Sequence, residues 1–76
     1  MKQTLTEQFE SCESDVDRWK LVIKHASKVS MMLDNDETSV SFDDGKNWRN
    51  FDGYIGTGEG PLALGEALGL KSCKQV

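Results

Sequence analysis

A chain of 76 residues with 37 % hydrophobic side chains holds material for one small core, which excludes a multi-domain architecture and leaves stability close to the entropic cost of ordering the chain. A net charge of −4, from thirteen acidic against nine basic residues, argues against a general binder of phosphate backbones, which needs clustered Lys and Arg. No apolar run approaches the roughly 20 residues of a membrane span, and Met1 to Thr6 lacks the apolar stretch and cleavage site of a secretory signal, so the cytoplasm is the expected location and no membrane partner is expected.

From the N-terminus, Leu5, Phe9, Cys12, Val16, Trp19, Ile23 and Ala26 follow one another at spacings of three and four, which is one apolar helical stripe. Thr4 with Glu7 makes a capping box, in which the hydroxyl accepts from an orphan backbone N–H and the carboxylate reaches back to the cap residue. Acidic residues from Glu7 to Asp17 precede Arg18, Lys20, Lys24 and Lys28, each sign near the helix end whose dipole it complements. One helix over residues 5–27 is the simplest reading. Ser14 followed by Asp17 offers a second cap, and with it a competing reading in which the helix breaks there.

Val29, Met31 and Leu33 then alternate with Lys28, Ser30 and Met32, and the alternation resumes at Val40 and Phe42 after the cluster Asp34-Asn35-Asp36-Glu37, giving two strands and a turn. A third strand is predicted around Asn47 to Phe51, after the reversal at Asp43-Asp44-Gly45. Gly53, Gly56, Gly58 and Gly60 lead into Pro61 to Leu68, a short helix that Pro61 opens and Gly69 ends. Residues 1–4 and 71–76 are expected to fray. The predicted fold is therefore a single α+β domain over residues 1–76: an N-terminal amphipathic helix packed on a three-stranded antiparallel β-meander, with a short C-terminal helix.

Ser41, Asp43, Gly45 and Trp48 match the pattern Ser-x-Asp-x-Gly-x-x-Trp, and these eight positions resemble the Asp-box. The spacing has a local cause. An Asp entering the turn accepts from backbone N–H groups across it, Gly supplies the turn's positive φ, and Trp packs on the returning strand. Sialidases and related propellers carry the box once per blade, away from their active sites, and it also occurs on unrelated folds that include secreted ribonucleases. The resemblance thus implies a structural staple at Ser41, Asp43, Gly45 and Trp48 and no activity.

Other constellations give no catalytic, cofactor or metal assignment. The acidic run Asp34, Asp36, Glu37, Asp43 and Asp44 departs from the calcium-loop pattern, since Ser39 stands at its sixth position and Gly45 at its twelfth. His25 is the one histidine, with no Cys, Asp or Glu at a spacing that completes a triad. The run Gly56 to Gly60 lacks the Gly-Lys-Ser/Thr ending of a phosphate-binding loop. Cys12 and Cys73, 61 positions apart, match no metal or redox spacing and stay reduced in the cytoplasm. In an exported chain the same pair could close a loop worth roughly 4 kcal/mol.

The expected function is a non-catalytic protein-interaction module: a small adaptor, inhibitor or modulator of a larger protein partner, with a homodimer as one form. The helix stripe of Phe9, Val16, Trp19 and Ile23 could pair with a partner helix, and the acidic first half and basic second half of that helix suit antiparallel self-pairing. Trp48, Arg49, Phe51, Tyr54 and Trp19 are the expected partner-binding residues, because aromatics and Arg dominate interface hot spots. The alternative is single-stranded nucleic-acid binding through the aromatic and basic surface from Trp48 to Tyr54. A second alternative is a small hydrolase using His25 with Asp43 or Asp52. A chain of this size also suits an accessory protein of the kind that viruses and bacteria encode.

Overall fold

The computed structural model describes residues 3–35, 37–54 and 60–76. Its elements are α1 (Leu5–Glu10), α2 (Asp15–Lys24), a 3₁₀ turn (Ala26–Lys28), β1 (Ser30–Asp34), β2 (Glu37–Ser41), β3 (Arg49–Phe51), α3 (Pro61–Leu68) and β4 (Ser72–Gln75). The α+β class is as predicted. The single helix, the three-stranded sheet and the frayed C-terminus are not.

The helix over 5–27 is two helices, broken where Ser14 offered its second cap. Ser14 is extended at φ −142°, and its hydroxyl accepts from the Asp17 N–H at 3.2 Å. Arg18 secures the break by donating to the Cys12 carbonyl at 3.0 Å and to Asp15 at 2.7 Å. Upstream, Thr4 is ordered rather than frayed. Its hydroxyl accepts from the Glu7 N–H and its own N–H donates to Glu7 Oε1, the full reciprocal box.

The sheet has four strands in the order β3-β2-β1-β4, antiparallel except for β4, which runs parallel to β1. Segment 71–76 carries no strand pattern of its own, and tertiary contacts impose one. Gly69 turns left-handed at φ 77°, with its N–H donating to Glu66 and that of Leu70 to Gly65, so the chain leaves α3 pointing back along β1. Lys71 N–H then donates to the Val29 carbonyl and Val76 N–H to the Leu33 carbonyl, each at 2.8 Å, which fixes the strand at both ends.

The register places Met31 between Val40 and Cys73, and Leu33 between Thr38 and Gln75, with Phe51 beyond Thr38. That face meets the helices. Phe9, Trp19, Val22, Val29, Met31, Val40 and Phe51 form the core, with Leu64, Leu68 and Cys73 packed against it. Phe51 is its hinge: Phe9 meets it edge-on at 5.4 Å and Trp19 at 5.3 Å, so one residue of β3 anchors both α1 and α2. Each such ring pair adds about 1 kcal/mol to what burial supplies. The opposite face carries Ser30, Met32, Ser39, Ser41, Asn50, Ser72 and Lys74, as the period of two requires.

Candidate interaction surface

The connection from β2 to β3 is built as the Asp-box pattern implies. Ser41, fully buried, accepts at its hydroxyl from the N–H groups of Asp43 and Gly45 and donates to Asp43 Oδ1 at 2.7 Å. Asp43 also accepts from the Asn47 side-chain amide at 2.6 Å and the Asn47 N–H at 2.9 Å. These donors, the Asn47 amide foremost and the Ser41 hydroxyl next, hold the Asp43 carboxyl down at about 2. Asp44 and Gly45 are both left-handed, and the Trp48 ring lies over Gly45, where a Cβ would stand 3.5 Å from Cζ2. Trp48 thus seals the turn itself. Asp44 reaches Lys71, which ties the turn to the start of β4.

The five expected partner-binding residues do not share a surface. Trp19 and Phe51 are core residues, Trp48 is half-buried over its turn, and Arg49 is held by Glu10 at 2.5 Å and by the Trp48 carbonyl at 3.0 Å. Tyr54 is the exposed one, 42 % accessible. The interleaved aromatic and basic run therefore spends Phe51 on the core, Trp48 on the turn and Arg49 on fastening β3 to α1, and leaves Tyr54 as its one exposed ring. What remains outward from β3 is Asn50 and Asp52, neither of them cationic.

His25 caps α2 and is half-buried; among the described residues it forms no hydrogen bond or ion pair with Asp43 or Asp52. Asp52 itself is occupied locally, its carboxylate accepting from the Tyr54 N–H at 3.0 Å. Cys12 and Cys73 are both free thiols, and burial, with Glu66 adding to it, pushes the Cys73 thiol up, away from the reactive thiolate. No group of three or more His, Cys, Asp or Glu among the described residues is placed to hold a metal. No described helix is long and apolar enough to cross a membrane. The glycine run compared with a phosphate loop, Gly56 to Glu59, lies outside the described residues.

By spacing alone, Val16 and Ile23 lie in the same stripe as Trp19. The break at Ser14 changes that, because α2 starts its own phase and turns Trp19 and Val22 into the core. Val16 and Ile23 are left 46 % and 49 % exposed, two turns apart on one side of the helix, with Lys20 between them. The segment after β3 runs beside this helix, since Trp19 Nε1 donates to the Gly53 carbonyl at 3.3 Å and the Asp52 N–H points to Asp15. Asp17, Lys20 and Lys24 are exposed, and none takes part in an ion pair among the described residues. The signal that could have separated Val16 and Ile23 from the core was Ser14 with Asp17. No family model matches this sequence, and neither a curated protein nor a solved structure matches it.

Proposed function

We propose that the protein is a non-catalytic interaction module, an adaptor, inhibitor or modulator that docks on a larger protein partner. The observation that carries this reading is the pair Val16 and Ile23: aliphatic side chains about half exposed on a helix whose other side is already committed to the core. Burying both against a partner would remove apolar surface from water at no cost to the domain's own packing. The polar groups support the same reading. Asp43, Arg49, Asp15 and Asp52 are each engaged in local structure, and among the described residues His25 forms no hydrogen bond or ion pair with Asp43 or Asp52.

The test is affinity capture from the source cells with the full chain, run beside the Ile23→Asp variant, followed by reconstitution from purified components. A stoichiometric protein retained by the wild type, lost with Ile23→Asp and bound again as a purified pair is the expected result. Retention indifferent to Ile23, or no stoichiometric protein at all, would remove the reading.

A further inference from the structure

We infer that the outer face of α2 binds a second copy of this chain, helix against antiparallel helix, with Val16 of one protomer packed on Ile23 of the other. The inference rests on the interaction-module reading and names what covers that module's apolar face when the larger partner is not bound, since one face cannot hold both at once.

The first argument is the spacing. Val16 and Ile23 are seven residues apart, about 10 Å along the axis, and lie within about 20° of one another around it. A two-fold axis crossing α2 midway between them brings each Val16 onto the partner's Ile23, so one rotation satisfies both exposed side chains. Phe9, Trp19 and Val22 take no part, because the core holds them.

The second argument is charge. Lys20, Lys24 and Asp17 all project from the same flank of the Val16–Ile23 line. A two-fold rotation keeps that flank on one side of the interface while reversing its order. Asp17 of one protomer then falls between Lys20 and Lys24 of the partner, and the same contact forms again at the other end. The two Lys20 side chains approach near the axis, and each has an Asp17 from the opposite chain beside it to offset the repulsion. A parallel arrangement, with its two-fold along the helix axes, would instead send the charged flanks of the two helices to opposite sides of the interface and leave Asp17 without a Lys of the partner beside it. Antiparallel self-pairing is thus the geometry in which this face complements itself.

Four half-exposed aliphatic side chains make a small interface, so the dimer is weak, forming at roughly 100 μM. Sedimentation velocity on the full chain from about 10 μM to about 1 mM reads it directly. The expected result is a reversible monomer–dimer equilibrium that Ile23→Asp weakens about tenfold. Asp17→Lys weakens it as well, and the double variant Asp17→Lys/Lys24→Asp restores it to within about threefold of wild type, as a swapped pair should. All these positions are exposed, and circular dichroism is the check that each variant folds.

A chain that stays monomeric at about 1 mM overturns the inference, as does a dimer that Ile23→Asp leaves intact or a charge swap that fails to rescue. The two readings fail separately. A monomer that captures a different protein through Ile23 sinks the self-pairing and keeps the module, whereas a monomer that captures nothing sinks both.

Discussion

The indole N–H of Trp19 donates to the carbonyl oxygen of Gly53 at 3.3 Å, joining α2 to the chain just beyond β3 across 34 positions of sequence. Gly53 is there because nothing larger fits. A Cβ at this position would stand 2.5 Å from Thr38 Oγ1 and 2.8 Å from Pro61 Cβ, and neither a β-branched side chain in a strand nor a proline ring can swing aside. Gly53→Ala is therefore expected to destabilise the domain by about 2–3 kcal/mol, read as a lower urea midpoint with an unchanged slope. An unaltered midpoint would mean that the segment after β3 is free to move away from Thr38.

Thr38 carries the other half of that contact. It is 1 % exposed, and among the described residues its hydroxyl has no hydrogen-bond partner. An unpartnered buried hydroxyl costs about 1–3 kcal/mol, and Val has nearly the same shape without the polar atom. Thr38→Val should raise stability by about 1 kcal/mol, a gain of roughly 4–8 °C in the thermal midpoint for a domain of this size. A fall in the midpoint would show that the hydroxyl is bonded.

Asp43 predicts a pH dependence. Its folded-state value of about 2 lies below the ~3.9 of an unfolded Asp, so the ionised carboxylate stabilises the fold above pH ~4. That contribution fades as the pH falls through 2, where the folded-state carboxylate takes up its proton. Glu7, lowered by the Thr4 N–H first and the Thr4 hydroxyl second, acts in the same direction. Carbon-detected NMR titration should give Asp43 a midpoint near 2. Urea unfolding between pH ~4 and ~2 should fall more steeply for wild type than for Asp43→Asn. Parallel profiles for the two proteins would show that the turn does not depend on the charged form.

Local chemistry in this chain was legible, and partnership across it was not. The Thr4–Glu7 box, the staple at Ser41 and Asp43, and the Pro61 and Gly69 ends of α3 all depend on groups within a few residues, where spacing fixes geometry. The first two strands likewise follow from alternation at Met31, Leu33 and Val40. The continuous stripe from Leu5 to Ala26 misled because spacing alone cannot tell an unbroken helix from two helices that meet at a cap, so Val16 and Ile23 stood in one partner-pairing stripe with Phe9 and Trp19, which the core in fact holds. Trp48 and Arg49 looked available for a partner because neither Gly45 beneath the ring nor Glu10 beside the guanidinium is implied by the alternation of β3. Lys71 to Val76 was misread for the same reason, since β4 exists only through β1.

That dependence gives the last prediction its sharpness. The Val76 N–H donates to the Leu33 carbonyl, and alternation along β4 turns the N–H of Lys74 toward β1 and that of Gln75 away from it. Proline removes a donor and fixes φ, so its cost depends on which side of the strand the lost N–H faced. Lys74→Pro should cost about 3 kcal/mol or more, enough to threaten a domain this small, whereas Gln75→Pro at the outer edge should cost far less. Hydrogen exchange supplies the companion measurement: the amides of Lys71, Lys74 and Val76 should be protected and that of Gln75 should exchange freely. Equal tolerance of the two prolines, with equal exchange along 71–76, would show that the segment frays and that the sheet ends at β1.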